Sequence, residues 1–199
     1  MIFEQIPVGH MQNFSYLIGD EKIKEAAVVD PGWEISKILS IAKKYDLKVK
    51  FILVTHSHYD HIDAVKEIVD ATNAIVYVHK EDSEEIKNRG IEKIKTINEG
   101  DEIKISRIKV KVLHTPGHTP GSVCYLVDNR IITGDTLFVE NIGRTDLPGG
   151  NPGILAESLR RLKKLDDNIE VYPGHDYGSV KHSTIAHEKK HNPHIIMLE

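Results

Sequence analysis

The sequence has 199 residues, of which 40% are hydrophobic and 28% are charged, with a formal net charge of −4. This composition is typical of a globular protein. A chain of this length can bury one sizeable core but rarely two, so we predict a single domain covering residues 1–199. The acidic balance lacks the basic footprint of a nucleic-acid-binding protein, so we expect a small-molecule partner and no nucleic acid.

Targeting signals and cysteine usage predict a cytoplasmic protein. The N-terminal stretch MIFEQIPVGHMQNFSYLIGD lacks the basic start and apolar core of a signal peptide. No later segment approaches the roughly 18 consecutive apolar residues of a membrane span, so no membrane association is expected. The single cysteine, Cys124, excludes an intrachain disulfide, lies in an apolar run and is predicted to be a core residue. The oligomeric state stays open.

The hydrophobic pattern alternates between strands and helices along the chain. The first half is predicted to contain the strands NFSYLIGD, EAAVVDPG, KVKFILVT and AIVYVH, a helix whose apolar face runs from Ile35 to Tyr45, a helix over 62–71, and an acidic helix start at EDSEEIKN. The second half is predicted to contain the strands IKVKVLH, SVCYLV, RIIT and IEVYP, with a helix marked by leucines from Leu155 to Leu165. This order predicts an α/β (α+β) fold with two packed sheets covered by helices.

Histidine and aspartate residues cluster directly after predicted strands. The four segments are FILVTHSHYDH, VKVLHTPGHTPG, RIITGDTLF and IEVYPGHDYG. Polar side chains on loops at strand ends, held by a rigid scaffold, commonly form binding and catalytic sites.

The densest cluster is an HxHxDH loop, formed by His56, His58, Asp60 and His61. Imidazole and carboxylate ligands suit zinc, iron or manganese. Further candidate ligands are His118, Asp135 and His175. Seven ligands are too many for one tetrahedral ion, so the set predicts two neighbouring ions that share one carboxylate. Coordination positions left open for solvent would make the site catalytic. The C-terminal histidines His187, His191 and His194 are predicted to be solvated.

The loop THSHYDH, together with the later candidate ligands, resembles the metallo-β-lactamase superfamily over nearly the whole chain. The resemblance implies an αββα sandwich with the site at one edge of the two sheets. It also implies two divalent ions, zinc first and iron or manganese as alternatives. The implied ligands are His56, His58 and His118 for the first ion, Asp60, His61 and His175 for the second, and Asp135 as a bridge.

Within this superfamily, NIGRTDLPGG is similar to the GRTD segment of single-domain glyoxalase II-like proteins and of persulfide dioxygenases. Glyoxalase II proper usually adds a C-terminal helical domain that helps to bind glutathione, whereas the present sequence ends soon after EKKHNPHI. The HDY stretch at 175–177 resembles the dioxygenases, whereas Ile142 stands where those enzymes commonly have a cysteine. Asp135 occupies the position of a cysteine ligand in the commonest zinc β-lactamases, so a β-lactamase is not expected.

The first functional hypothesis is hydrolysis of S-acylglutathione-type thioesters, with S-lactoylglutathione as the model substrate. Two ions would lower the pKa of a shared water and supply a hydroxide near pH 7. Asp60 is predicted to orient the nucleophile or accept its proton, and Asp135 to bridge the ions. Arg144 is predicted to bind a substrate carboxylate, with a salt bridge to Asp146 as the structural alternative. Tyr177 is predicted to contact the substrate, with packing under His175 as its alternative.

The second hypothesis is a persulfide dioxygenase that oxidises glutathione persulfide with a single iron. His56, His118 and Asp135 would then form a face of two histidines and one carboxylate, an arrangement that leaves positions for oxygen and substrate on iron. The third, a non-catalytic metal-binding module, requires that the open coordination positions have no function, and nothing in the sequence favours it.

Overall fold

The strands form two six-stranded sheets and a short ribbon in a computed structural model that describes residues 1–198. The first sheet contains β1 (Ile2–Val8), β2 (Asn13–Asp20), β3 (Glu25–Val29), β4 (Lys48–Leu53), β5 (Ile75–His79) and β6 (Ile94–Ile97), in that order. The second sheet and the ribbon contain β7 (Glu102–Ile105), β8 (Ile108–His114), β9 (Val123–Val127), β10 (Arg130–Gly134), β11 (Leu137–Phe138), β12 (Asn141–Ile142), β13 (Glu170–Pro173) and β14 (Ser183–Thr184). The order across the second sheet is β14, β13, β10, β9, β8, β7, and β11 pairs with β12 in the ribbon.

Helices cover the outer faces of both sheets. They are α1 (Ile35–Lys44), α2 (Tyr59–Ile62), α3 (Val65–Thr72), α4 (Ser83–Asn88), α5 (Pro152–Lys163), α6 (Ile185–His191) and α7 (Pro193–Ile196), with one 3₁₀ turn at Lys80–Asp82. None of these helices within residues 1–198 combines the length and the apolar character needed to cross a bilayer.

Three layers of buried side chains separate these elements, and they confirm the αββα sandwich. The first sheet packs on α1, α3 and α4, the two sheets pack on each other, and the second sheet packs on α5, α6 and α7. Strand β2 shows the underlying pattern, because Leu17 lies in the helix-facing layer while Tyr16 and Ile18 lie between the sheets. Successive side chains of a strand point to opposite faces, so this strand, which is covered on both sides, is buried along its whole length.

The structure differs from the sequence-based expectation at several elements, among them β1, the helix over 62–71 and the end of α5. Strand β1 was not predicted, because it is an edge strand whose first residues are only half buried and which contains Pro7. The helix predicted over 62–71 begins at Val65 as α3, and Ile62 is instead the last residue of the separate short helix α2. The two helices separate because the amide of Ala64 donates to the carbonyls of Pro31 and Gly32. Leu165 lies beyond the end of α5, although it still packs into the outer layer.

Cys124 lies in the core as predicted, and its reactivity should reflect that position. Burial raises the pKa of its thiol to about 12, so very little thiolate is present at neutral pH. We expect the native protein to resist iodoacetamide, whereas protein unfolded in guanidinium is alkylated completely. Mass spectrometry of both samples measures this, and rapid labelling of the native protein would contradict the packing around β9.

Candidate metal centre

The seven predicted metal ligands meet at one edge of the sandwich. His56 and His58 follow β4, and the short helix α2 carries Asp60 and His61. The remaining three, His118, Asp135 and His175, follow β8, β10 and β13. Strand β10 is parallel to β13 and is related to β8 by two antiparallel pairings, so all three strands end at the same edge. The sequence pattern of ligands after strands therefore corresponds to one shared location.

The first donor group consists of His56, His58 and His118. One nitrogen from each of these rings lies within 4.8 Å of the other two. His58 Nδ1 and His118 Nε2 are 2.8 Å apart. His56 Nε2 is buried and lacks a hydrogen-bond partner.

The second donor group consists of Asp60, His61 and His175, whose ligand atoms also lie within 4.8 Å of one another. His61 Nε2 and His175 Nε2 are 3.2 Å apart, and Asp60 Oδ2 is 3.4 Å from each of them. Asn13 Nδ2 donates to Asp60 Oδ2 at 2.9 Å, which fixes the orientation of that carboxylate.

Asp135 lies between the two donor groups. Its Oδ1 is 3.3 Å from His61 Nε2, while its Oδ2 is 3.3 Å from His175 Nε2 and 3.6 Å from His118 Nε2. The carboxylate therefore faces both groups, which is the position that a bridging ligand requires.

These separations and the donor types fit metal ions. Ligands that bind zinc at 2.0–2.1 Å in a tetrahedron are about 3.4 Å apart, close to the separations seen here. Buried His56 Nε2 and Asp135 Oδ1 have no hydrogen-bond partner, which is uncommon for buried polar atoms in proteins. An ion in each group would satisfy both atoms.

The outer nitrogens of the imidazole rings orient the donors. His61 Nδ1 is 3.1 Å from Asp30 Oδ2, His118 Nδ1 is 2.7 Å from the Arg144 carbonyl, and His175 Nδ1 is 2.9 Å from the Met11 carbonyl. These oxygens only accept, so each Nδ1 carries a hydrogen, which leaves each Nε2 as the nitrogen that can bind an ion.

Asp30 is a residue beside the donor groups that the sequence analysis missed. It is buried, and it accepts from the Thr55 amide at 2.7 Å and from Thr55 Oγ1 at 2.5 Å. With His61 Nδ1 as a third donor, its oxygens are occupied by groups that position the ligand loop. An available signal was its place directly after β3, the same strand-end position that marks the predicted ligands.

Asp82 is a second residue that was missed, and it connects two ligand loops. Its Oδ2 accepts from the Ser57 amide at 2.8 Å and from Thr119 Oγ1 at 2.9 Å. Its Oδ1 accepts from the Gly121 amide at 2.8 Å, and a Cβ at Gly121 would lie 2.2 Å from this oxygen. Asp82 therefore ties the loop of His56 and His58 to the loop of His118. Its sequence context, a helix start, gave no hint of this role.

The electrostatics of the site keep its carboxylates ionised. Burial opposes this, but the neighbouring imidazoles outweigh it, so the pKa of Asp135 lies well below its ordinary value and that of Asp60 falls to about 2. Burial would also lower the pKa of His175, yet Asp135 and Asp60 raise it to about 9. The metal-free site consequently holds a proton on His175 at pH 7, which an ion must displace.

The predicted substrate-binding residues line a cavity of about 720 Å³ beside the donors. Arg144 donates through Nε and Nη2 to Asp146 at 2.7 and 2.6 Å. The Tyr177 ring stacks on the His175 ring, with a centroid distance of 4.6 Å and an interplanar angle of 11°. Both structural alternatives are therefore present, and a substrate role for either residue stays a prediction. His187 contacts Glu140 at 2.9 Å and belongs to neither donor group.

Residues 8–175 match the model of the metallo-beta-lactamase superfamily, and the chain belongs to this superfamily of metal-dependent enzymes. It is 33% identical to hydroxyacylglutathione hydrolase GloC of Haemophilus influenzae, over 97% of either chain. It is 34% identical to a probable polyketide biosynthesis zinc-dependent hydrolase, PksB of Bacillus subtilis, over 90% of this chain and 80% of that protein. The structure of ETHE1 from Myxococcus xanthus is 37% identical and superimposes with a TM-score of 0.86, covering 97% of this chain and 84% of that one.

Proposed function

We propose that this protein is a two-metal hydrolase that cleaves thioesters of the glyoxalase II type. The observation that carries the proposal is the pair of adjacent donor groups with Asp135 between them, next to an open cavity. The similarity to GloC, named as a hydroxyacylglutathione hydrolase, supports the thioester as the bond that is cleaved.

The first donor group would hold one ion and the second donor group the other, with Asp135 as the shared ligand. The similarity to the zinc-dependent PksB favours zinc, although the same nitrogen and oxygen donors also accept iron or manganese. Bound divalent ions polarise a carbonyl and lower the pKa of water, which supplies a nucleophile at neutral pH.

The residues of the chain have three tasks in this reaction. Asp60, held by Asn13 and ionised at neutral pH, orients the attacking water and accepts a proton from it. The cavity above the donors receives the substrate and positions its carbonyl carbon. Tyr177 covers the outer face of His175 and limits its movement.

The test is an assay of the zinc-loaded protein with S-lactoylglutathione, following thiol release, with the metal content measured on the same sample. We expect thioester cleavage with about two ions per chain, as the two donor groups require. Metal binding without cleavage of any thioester would overturn the proposal.

Persulfide oxidation is the second candidate function, because the HDY stretch at 175–177 resembles the persulfide dioxygenases. His56, His118 and Asp135 would then hold one iron. His118 Nε2 and Asp135 Oδ2 are close enough, at 3.6 Å, to share an ion. Ile142, however, lines the cavity where the resembling dioxygenases commonly have a cysteine. Oxygen uptake by the anaerobically purified, iron-loaded protein upon addition of glutathione persulfide would select this candidate, and no uptake would reject it.

A further inference from the structure

Half of the residues that line the cavity beside the donor groups have apolar or aromatic side chains. These are Met11, Tyr59, Phe138, Ile142, Leu147, Pro148 and Tyr177. Tyr59 and Tyr177 are 56% and 48% exposed, so two aromatic rings remain open to solvent beside the site. Exposed apolar surface that borders a concave site commonly serves to bind an apolar part of a ligand.

The charges of the cavity are poorly matched to glutathione. At neutral pH glutathione carries two carboxylates and one ammonium group. Among the described residues that line the cavity, the one lysine or arginine is Arg144. Its Nε and Nη2 already donate to both oxygens of Asp146, so the two-pronged face that recognises carboxylates is engaged within the chain. Outside the donor groups and the ions that they would hold, a carboxylate that enters this cavity would lose water without gaining an unpaired lysine or arginine.

We infer that the site prefers thioesters with an apolar acyl group, and that the charges of glutathione contribute little to binding. The acyl chain would occupy the apolar surface. The thiol half would bind equally well without charged groups, with neutral amides alone. This inference rests on the proposed thioester hydrolysis and defines its substrate class. Asp146 acts in it as a specificity-determining residue, because it neutralises Arg144.

The first experiment varies the acyl group on a constant thiol, using acetyl, butyryl, hexanoyl and D-lactoyl thioesters of glutathione with the zinc-loaded protein. Each methylene that becomes buried should raise kcat/KM by about fourfold until the cavity is filled. We therefore expect the hexanoyl thioester to exceed the acetyl thioester by at least about tenfold. A D-lactoyl thioester that is better than all the others would overturn the inference and leave thioester hydrolysis standing.

The second experiment varies the thiol on a constant acyl group, comparing hexanoyl-glutathione with hexanoyl-N-acetylcysteamine, which is neutral. We expect the two kcat/KM values to agree within about threefold, since the cavity gives the glutathione carboxylates no unpaired partner. A loss of about 100-fold or more with the neutral thiol would show that glutathione is recognised, against the inference. Failure to cleave any of these thioesters would instead reject the proposed function.

Two substitutions test the residues that carry the argument. Leu147→Ala should lower the hexanoyl-to-acetyl ratio of kcat/KM about fivefold by removing apolar surface. Ile154→Ala, a matched change at a 46% exposed residue of α5 outside the cavity, should leave that ratio unchanged. An unchanged ratio in Leu147→Ala would contradict the contact between the acyl chain and the apolar surface.

Asp146→Asn should release Arg144 and raise kcat/KM for glutathione thioesters several-fold relative to N-acetylcysteamine thioesters. No selective gain in Asp146→Asn would contradict the neutralisation of Arg144 by Asp146.

Discussion

Replacing His118 with alanine is expected to lower kcat/KM for thioester hydrolysis by on the order of 100-fold or more and to reduce the metal content. The substitution removes Nε2, which lies 2.8 Å from His58 Nδ1 and 3.6 Å from Asp135 Oδ2. The first donor group then keeps two histidines, and the bridging carboxylate loses a neighbour. Steady-state kinetics and elemental analysis of the purified variant measure both effects.

His187→Ala is the matched control, because it removes an imidazole that contacts Glu140 instead of the donor groups. Its activity and metal content should stay within about twofold of the parent protein, as for most substitutions away from a site. Equal losses in the two variants, with circular dichroism showing both folded, would mean that the first donor group is assigned incorrectly.

Asp30→Asn should weaken metal binding by about 10–100-fold, although Asp30 is not proposed as a ligand. The carboxylate accepts from Thr55 N, Thr55 Oγ1 and His61 Nδ1. An amide nitrogen in place of one oxygen would face one of these donors, and a buried donor left without an acceptor costs about 1–3 kcal/mol. We therefore expect the free energy of unfolding to fall by a similar amount.

Competition with a chromophoric chelator gives the metal affinity, and urea titration gives the free energy of unfolding. Asp70→Asn makes the same chemical change at an exposed residue paired with Lys66, where an ion pair contributes under about 1 kcal/mol. An affinity in Asp30→Asn equal to that in Asp70→Asn would show that the Asp30 contact does not hold His61 in place.

The clustering of the candidate ligands was easier to predict from the sequence than the residues that support them. His56, His118 and His175 were recognisable because each follows a strand, and the loop THSHYDH concentrates four donors in six residues. Asp82 was not recognisable, because its partners Ser57 and Gly121 are distant in the sequence and donate backbone amides. Every residue except proline has a backbone amide, so the identity of Ser57 does not reveal its contact with Asp82, which becomes visible only in the folded chain.

Element types were predictable from hydrophobic periodicity, whereas some boundaries depend on tertiary contacts. The break between α2 and α3 exists because Ala64 donates to the turn at Pro31 and Gly32, which belongs to another part of the chain. Gly32 itself comes close to α2, since a Cβ there would lie 1.9 Å from the Asp60 carbonyl. Local sequence cannot report this approach, because the two segments are distant along the chain.

Each donor group contains residues that follow both sheets. His56 and His58 follow a strand of the first sheet and His118 follows a strand of the second, and the second donor group is divided in the same way. An ion in either group would therefore cross-link the two sheets. By thermodynamic linkage, the free energy of docking one sheet on the other would then depend on the concentration of free metal. The measured stability of a variant with a substitution in the core would depend on that concentration too.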